Sequence, residues 1–221
     1  MTISAFIFDL DGVITDTAEY HYLAWKRLAD EESLPFTRED NEQLRGVSRR
    51  ESLLRLLKGR AVPEDTLQAW MQRKNEYYVA YLDDITPADL LPGVARFLDE
   101  AQTAGLKLGI GSASRNARTV IDRLKLAHMF EVIGDGHSVV NSKPAPDLFV
   151  WVAGALRVPV DQAVVFEDAE AGIDAAKTAG CRTVGIGSAN VRHAEIVLPG
   201  LAEISAGDVL RRLQAAPMTL E

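Results

Sequence analysis

The sequence predicts an α/β fold, a doubly wound parallel sheet with an all-helical cap inserted directly after the first strand. Three observations carry this expectation. Short apolar runs at 6–8, 106–110, 131–133, 163–166 and 183–186 read as buried strands. Segments with helical spacing of apolar residues separate the later runs, and such alternation builds a parallel sheet with right-handed crossovers. Residues 33–86, by contrast, read as helices with no convincing strand, which looks like a lid. The cap is expected to span 16–86, leaving 1–15 and 87–221 to the core.

The first strand, Phe6 to Phe8, ends on Asp9 and Asp11, and Gly12 turns the backbone sharply out of the sheet. Ligands of an open parallel sheet bind at the carboxyl ends of its strands, and the spacing across Leu10 points both carboxylates the same way. Two carboxylates this close repel when both are ionised. One pKa should therefore rise, which is what a general acid near neutral pH requires, while the other acid serves as nucleophile. An Asp-Gly pair alone would read as turn chemistry. The rest of the chain changes that reading.

In the cap, Asp16 and Glu19 are expected to form a capping box, with Ala18, Tyr22, Trp25 and Ala29 on one face of the helix that follows. His21 lies at the margin of that face, where a lone helical histidine reads as a surface or satisfied core residue. Leucines at 53, 54, 56 and 57 mark a helix over 49–57, and Pro63 suits the start of another running towards Tyr81. Arg45, Gly46, Ser48 and Arg49 form a turn into the first of these, and a helix N-terminus beside arginines can bind a phosphate. Arg73 and Lys74 supply further cations, while Arg50, Arg55 and Arg60 read as solvated helical charges.

Pro87 and Pro92-Gly93 punctuate the return to the core. Val94, Phe97, Leu98 and Ala101 give the next helix an apolar face, and Gly105 ends it. The second strand runs into Gly111, Ser112, Ala113 and Ser114, before a helix with Ala117, Val120, Ile121 and Leu124 inward. A small hydroxyl-bearing turn there is a phosphate cradle by geometry, although many such turns are simply serine caps. After the third strand, Pro144 and Pro146 stiffen the backbone around Lys143 and prepare a helix containing Phe149, Val152 and Leu156. The fourth strand ends on Glu167 and Asp168. Ala169, Gly172, Ile173 and Ala176 make a small-residue helix face, the fifth strand follows, and a last helix is expected near 209–213 before the terminus frays.

Composition narrows the function. Hydrophobic content of 47% and charged content of 25% suit a globular enzyme and exclude a disordered chain. With 24 Lys and Arg against 32 Asp and Glu, the net charge of −8 argues against nucleic acid or an anionic membrane as partner. Any anionic substrate must then be met by a local basic site or a metal. The single cysteine, Cys181, adjoins an apolar stretch and reads as a small core residue, so neither a disulfide nor a thiolate metal site follows. The first apolar run meets Asp9 too soon for a signal peptide, which makes a cytoplasmic enzyme the expectation.

On one sheet, Asp9 and Asp11, Ser112, Lys143, and Glu167 with Asp168 would converge on a single carboxyl edge. Two acidic clusters suggest a hard divalent cation with oxygen ligands, Mg²⁺ where a phosphate completes the shell. A carboxylate nucleophile, a cation, a lysine and a hydroxyl around one phosphorus are what phosphoryl transfer needs. These residues resemble the haloacid dehalogenase superfamily, with its Rossmann-like core. Its four motifs match as Asp9-Leu10-Asp11-Gly12, Ser112, Lys143-Pro144 and Glu167-Asp168, across nearly the whole chain. The resemblance implies that Asp9 forms an aspartyl phosphate, Asp11 is acid and base, and Ser112 and Lys143 hold the phosphoryl oxygens. It further implies Mg²⁺ held by Asp9, Glu167, Asp168 and the backbone carbonyl of Asp11. The second acid, Asp11, makes the chain look like a phosphoryl-transfer member rather than a dehalogenase.

Segments 9–17, 45–49, 73–75, 112–116 and 141–149 most resemble the β-phosphoglucomutase branch of that superfamily. By that likeness Thr17 and His21 position Asp11 as the cap closes, and Arg49, Ser114 and Asn116 bind the phosphate that is not being transferred. Lys74 helps to place the sugar, and Arg45, Gly46, Ser48 and Ala113 belong to the same substrate site. Arg45 stands where relatives commonly carry lysine, which keeps the charge and changes the donor geometry. The expected activity is a Mg²⁺-dependent interconversion of β-D-glucose 1-phosphate and D-glucose 6-phosphate through β-glucose 1,6-bisphosphate, by a monomer with no nucleic-acid or membrane partner. One rival is a phosphatase of the same superfamily acting on a small sugar phosphate or phospho-acid, since both reactions share Asp9 and Asp11. Another is a phospho-accepting receiver module, which is expected to carry its acceptor on a middle strand and to lack a helical lid.

Overall fold

Four successive buried apolar residues make β1 (Ala5–Phe8) a central strand. In the computed structural model, which describes residues 2–187 and 189–215, it lies within a parallel sheet. The other strands are β2 (Lys107–Gly111), β3 (Val132–Gly134), β4 (Ala163–Glu167), β5 (Arg182–Ile186) and β6 (Ile196–Leu198), in the order β3-β2-β1-β4-β5-β6. The doubly wound α/β class read from the sequence is the one observed. One strand escaped that reading. β6 has only three residues, too few to show a period, and it exists by pairing Val184 with Ile196 and Ile186 with Leu198 across the edge of β5.

Successive residues of β1 feed opposite faces of the sheet. On one side Phe6 and Phe8 meet Phe166 of β4 and Phe97 of α5 (Val94–Thr103), with centroids 4.7 Å apart for Phe8 and Phe166 and 6.0 Å for Phe6 and Phe97. Such ring pairs contribute about 0.5–1.5 kcal/mol each beyond the area they bury. The same layer takes Val120 and Ile121 of α6 (Ala117–Arg123) and Val209 and Leu213 of α9 (Ala206–Ala215). On the other side Ala5 and Ile7 pack with Phe149 and Val152 of α7 (Asp147–Ala155) and with Ala175 and Ala176 of α8 (Glu170–Ala179). Cys181 closes that layer as a buried core residue, its thiol pushed up to about 12 by burial and then by the charge of Asp161. The expected fraying at the carboxyl terminus lies outside the described residues.

The chain leaves the sheet through 9–17 and returns through 83–93, and the two crossings are tied together. Thr15 Oγ1 donates to the Asp89 carbonyl at 2.7 Å, and the Leu91 N–H donates to the Ile14 carbonyl at 3.0 Å. Between them lie α1 (Ala18–Glu31), α2 (Arg38–Glu42), α3 (Arg49–Leu57) and α4 (Glu64–Leu82), with no strand among the described residues of this insert. These helices enclose an apolar cluster of their own, including Trp25, Leu28, Phe36, Leu53, Leu56 and Leu67. An insert with its own core can keep its shape while its linkers bend.

Two local expectations in the insert are corrected. Asp16 Oδ1 does accept from the Ala18 N–H at 3.0 Å, but Glu19 does not complete a capping box. Its carboxylate takes both Nη groups of Arg38, at 2.6 and 2.8 Å, a charged fork that outcompetes a single backbone N–H. Arg73 pairs with Glu31 and Glu32 instead of serving the site. No described helix is long and apolar enough to cross a membrane.

Candidate active site

The register of the sheet builds the floor of the site. Phe8 lies beside Phe166, so Asp9 and Glu167 leave the sheet next to one another, and the Asp9 N–H donates to the Phe166 carbonyl at 2.9 Å. This is the switch point of the fold: β2 and β3 extend to one side of β1, and β4, β5 and β6 to the other. Lys143, fully buried, donates from Nζ to Asp9 Oδ1 at 2.5 Å and lies 3.4 Å from Glu167 Oε2. Burial works against its charge, yet Asp9 and Glu167 outweigh that and raise its pKa above the usual lysine value.

Glu167 keeps one oxygen, Oε1, buried and without a hydrogen-bond partner among the described residues. Burial, and then the charge of Asp9, push the Glu167 carboxyl well above its ordinary range. The Asp168 carboxyl is pushed up to about 7 by burial and then by Asp9, against the opposing charge of Arg45. Asp9, Glu167 and Asp168 each present a carboxylate oxygen within 4.8 Å of the others. Three acids drawn this close, one of them with an orphaned buried oxygen, are the donor set of a hard divalent cation, and the residues present fit one. Asp11 keeps its carboxylate outside this trio.

Backbone permits this crowding at two glycines. Gly12 sits at φ +82°, and a Cβ there would lie 2.1 Å from Asp168 Oδ2. Gly172 lets α8 press against Glu167, since a Cβ there would lie 2.0 Å from Oε1. In a helix interior Gly→Ala ordinarily stabilises by about 0.5–1 kcal/mol. Gly172→Ala should reverse that sign, losing about 1–2 kcal/mol because overpacking outweighs helix propensity. Urea unfolding checks it, and a gain in stability would mean that Glu167 has room to move.

Asp11 faces the entrance of the helical insert. Its Oδ1 accepts from Thr17 Oγ1, which in turn accepts from the Tyr78 hydroxyl at 3.3 Å. Its Oδ2 lies 3.9 Å from His21 Nε2. Burial, and then the charge of Asp9, push the Asp11 carboxyl up to about 6, although the Thr17 hydrogen bond acts the other way. The sequence predicts that one acid of the pair rises, and Asp11 is the one that does. His21 stacks on Tyr78 with centroids 4.0 Å apart, and its Nδ1 is 2.7 Å from Lys74 Nζ. Lys74 is buried between the Trp25 and Tyr78 rings, 4.9 and 4.7 Å from their centroids. Burial, then neighbouring cations, hold both His21 and Lys74 well below their usual values.

The far wall is basic. Arg49, at the start of α3, donates from Nη2 to Asn75 Oδ1 at 2.7 Å, and Asn116 Nδ2 donates to the same oxygen at 2.9 Å. Among the described residues Arg49 makes no ion pair, and burial followed by the charge of Arg115 lowers its pKa to about 10. Ser112 and Ser114 wind the turn into α6: Ser112 Oγ accepts from the Ser114 N–H, and Ser114 Oγ from the Asn116 N–H, each at 3.2 Å. The cleft between these walls encloses about 770 Å³, its open mouth included.

Asp9, Asp11, His21, Arg45, Gly46, Arg49, Lys74, Ser112, Ala113, Ser114, Asn116 and Asp168, all singled out from the sequence, line this one cleft. Thr17, Lys143 and Glu167 stand behind it, bonded to its acids or beside them. Ser48 does not line it. Its Oγ caps α3 by accepting from the Glu51 N–H at 3.2 Å, which accounts for a serine at that position. Arg45 bridges the two parts of the chain, with Nη1 2.9 Å from Asp168 Oδ2 and Nε 2.9 Å from Glu42. Sequence reasoning missed Asn75, Ser52, Arg115 and Tyr78 as site residues. Helical spacing offered a signal, since Ser52 follows Arg49 by three and Tyr78 follows Lys74 by four.

Known proteins match the chain over most of its length. The profile of the family described as haloacid dehalogenase-like hydrolase matches residues 6–186. The chain is 46% identical over 189 residues to β-phosphoglucomutase of Bacillus subtilis (strain 168), covering 84% of each. It is 31% identical over 184 residues to a phosphorylated carbohydrates phosphatase of Thermotoga maritima, covering 82% of this chain and 84% of that one. Among solved structures, β-phosphoglucomutase from Clostridium difficile superposes with a TM-score of 0.93 at 37% identity, over 97% of this chain and 98% of the other.

Proposed function

This chain belongs to the haloacid dehalogenase-like hydrolase family, and we propose that it interconverts β-D-glucose 1-phosphate and D-glucose 6-phosphate through β-glucose 1,6-bisphosphate. The observation that carries this reading is Arg49, a partly buried guanidinium with no carboxylate partner among the described residues, in the same cleft as Asp9 and Asp11. A phosphatase needs one phosphate site. A mutase must hold a bisphosphate, with one end at the nucleophile and the other clamped remotely, and an unpaired guanidinium is suited to that second end.

In this reading an Asp9 carboxylate oxygen attacks the phosphorus of the bisphosphate. The bond from phosphorus to the sugar oxygen breaks, and Asp11 gives its proton to that departing oxygen. In the second half-reaction Asp11 takes the proton from the hydroxyl of the sugar monophosphate as it attacks the aspartyl phosphate. Thr17 and His21 aim Asp11, and Lys143 and Ser112 hold the phosphoryl oxygens. Arg49, Ser114 and Asn116 bind the phosphate that stays, Lys74 places the sugar, and Arg45, Gly46 and Ala113 complete the pocket. Asp9, Glu167, Asp168 and the Asp11 backbone carbonyl would hold Mg²⁺. When bound, that ion neutralises the charge spread over the transferring phosphoryl group. Binding energy from the remote phosphate draws the cap, taken as 16–86, over the core, so that Asp11 is aligned when a sugar is present and water reacts slowly. The sequence expectation of a cytoplasmic monomer stands with this proposal.

The test is direct. Given β-glucose 1-phosphate and a trace of the bisphosphate, the wild type should form glucose 6-phosphate with little release of inorganic phosphate. Arg49→Ala should lower mutase kcat/KM by about 10²-fold or more, since a hydrogen bond between charged partners is worth about 1.5–3 kcal/mol and cap closure depends on it. Stoichiometric phosphate release with no glucose 6-phosphate, and an Arg49→Ala variant equally active, would establish a phosphatase instead.

A further inference from the structure

We infer that Asn75 is a positioning residue of the remote phosphate site, a reversible amide that accepts from Arg49 and Asn116 when the site is empty and donates to the phosphate when it is filled. The inference deepens the proposed function and rests on its assignment of Arg49 and Asn116. Its observation is a shared acceptor. One oxygen, Asn75 Oδ1, takes hydrogen bonds from both of the donors assigned to the phosphate, at 2.7 and 2.9 Å. The residue sits on α4 of the helical insert, next to Lys74, whereas Asn116 precedes α6 of the core. The pair therefore joins insert to core across the cleft.

The orientation of this amide follows from chemistry. A guanidinium can only donate, so the Asn75 atom facing Arg49 Nη2 is the oxygen. That oxygen stands where an anion's oxygen would satisfy the same two donors, and it keeps Arg49 and Asn116 in register meanwhile. The pairing is a neutral substitute: Arg49 makes no ion pair among the described residues, and burial and Arg115 leave it short of negative charge. A dianionic phosphate is a far better acceptor and would take both donors. Left as it is, Oδ1 would then face phosphate oxygens lone pair to lone pair. Rotation of the amide by about 180° about its last side-chain torsion, a broad and roughly two-fold torsion, presents the Nδ2 hydrogens instead. Neither aspartate, which only accepts, nor alanine can make that exchange.

Four forms of the full-length protein decide the matter: wild type, Asn75→Ala, Asn75→Asp and Asn75→Gln, each titrated with glucose 6-phosphate by calorimetry in the presence of Mg²⁺, with thermal melting as a check on folding. Asn75→Ala should bind about tenfold more weakly, and Asn75→Asp about 10²-fold or more weakly, because its charge both holds Arg49 and repels the phosphate. Asn75→Gln, which keeps both halves of an amide, should bind more tightly than Asn75→Ala. If Asn75 only bridges insert to core and stays clear of the phosphate, the order of the first two reverses, since aspartate is isosteric with asparagine and preserves both acceptor contacts. Asn75→Asp equal to or tighter than Asn75→Ala would overturn the proposal. Should Asn75→Asp fail to fold, Asn75→Gln no better than Asn75→Ala overturns it just as well. If the wild type binds glucose 6-phosphate but does not convert β-glucose 1-phosphate, the mutase reading fails while the ranking still decides the role of Asn75. A wild type that binds no glucose 6-phosphate overturns both.

Discussion

Asp9→Asn should form no phosphoenzyme and reduce turnover to background. The reason is chemical: the attacking atom must be a carboxylate oxygen, and an amide is not a nucleophile towards phosphorus at neutral pH. The fold should survive. Asn keeps the shape of Asp9 and its N–H bond to the Phe166 carbonyl, and Lys143 retains Glu167 as a partner. Asp11→Asn should behave differently, still becoming phosphorylated by a good donor while transfer to and from sugars slows by about 10²–10⁴-fold, the usual worth of general acid-base help. The different surroundings of the two acids motivate this contrast. Asp11, pushed up to about 6, can carry a proton near neutral pH, whereas Asp9 accepts a hydrogen bond from the buried ammonium of Lys143. Rapid quenching with labelled phosphodonor measures both. Label found on Asp9→Asn would sink the assignment of the nucleophile.

Removing one acid from the trio should damage catalysis while stabilising the metal-free fold. Glu167→Gln deletes a buried charge whose Oε1 has no partner among the described residues, and relieves repulsion with Asp9 and Asp168. We expect phosphoryl transfer to fall by about 10²–10³-fold, corresponding to several kcal/mol of charge stabilisation supplied by a bound divalent cation. The metal-free melting temperature at pH 8 should meanwhile rise by about 2–4 °C for each kcal/mol of repulsion relieved. The pH dependence has a definite sign. Asp168 is pushed up to about 7 in the folded chain from an ordinary 3.8, so between those values its carboxyl binds more protons in the folded state than in the unfolded one. The contribution of Asp168 to the stability of the metal-free wild type should therefore be lost as pH rises from about 4 through 7. Mg²⁺ should raise the melting temperature more at pH 8 than at pH 5, where protonated acids bind it poorly. Calorimetric melts with and without chelator test this. A Glu167→Gln variant with full Mg²⁺-dependent turnover and no gain in metal-free stability would remove Glu167 from the cation site.

Amino-acid order alone was enough for whatever depends on local pattern. Val94, Phe97, Leu98 and Ala101 all proved buried on one face of α5, and the helix expected over 49–57 has those bounds, because a 3.6-residue period is written in the chain itself. Asp9, Asp11, Ser112, Lys143, Glu167 and Asp168 could be placed at one edge because parallel strands bring all their carboxyl ends to the same side. Tertiary structure decided what depends on competition between distant partners. Glu19 faces Arg38 instead of its own helix start, since a guanidinium that folding brings within 2.6 Å outbids a neighbouring N–H. Arg73 and Lys74, adjacent in sequence, part company because a helix turns successive side chains about 100° apart: one reaches Glu31 and Glu32 at the surface, the other is buried against His21. β6 forms only because the edge of β5 offers it a ladder. Asn75 became visible only when α4 was laid across Asn116, 41 positions away, where one carbonyl oxygen answers two donors that no spacing rule connects.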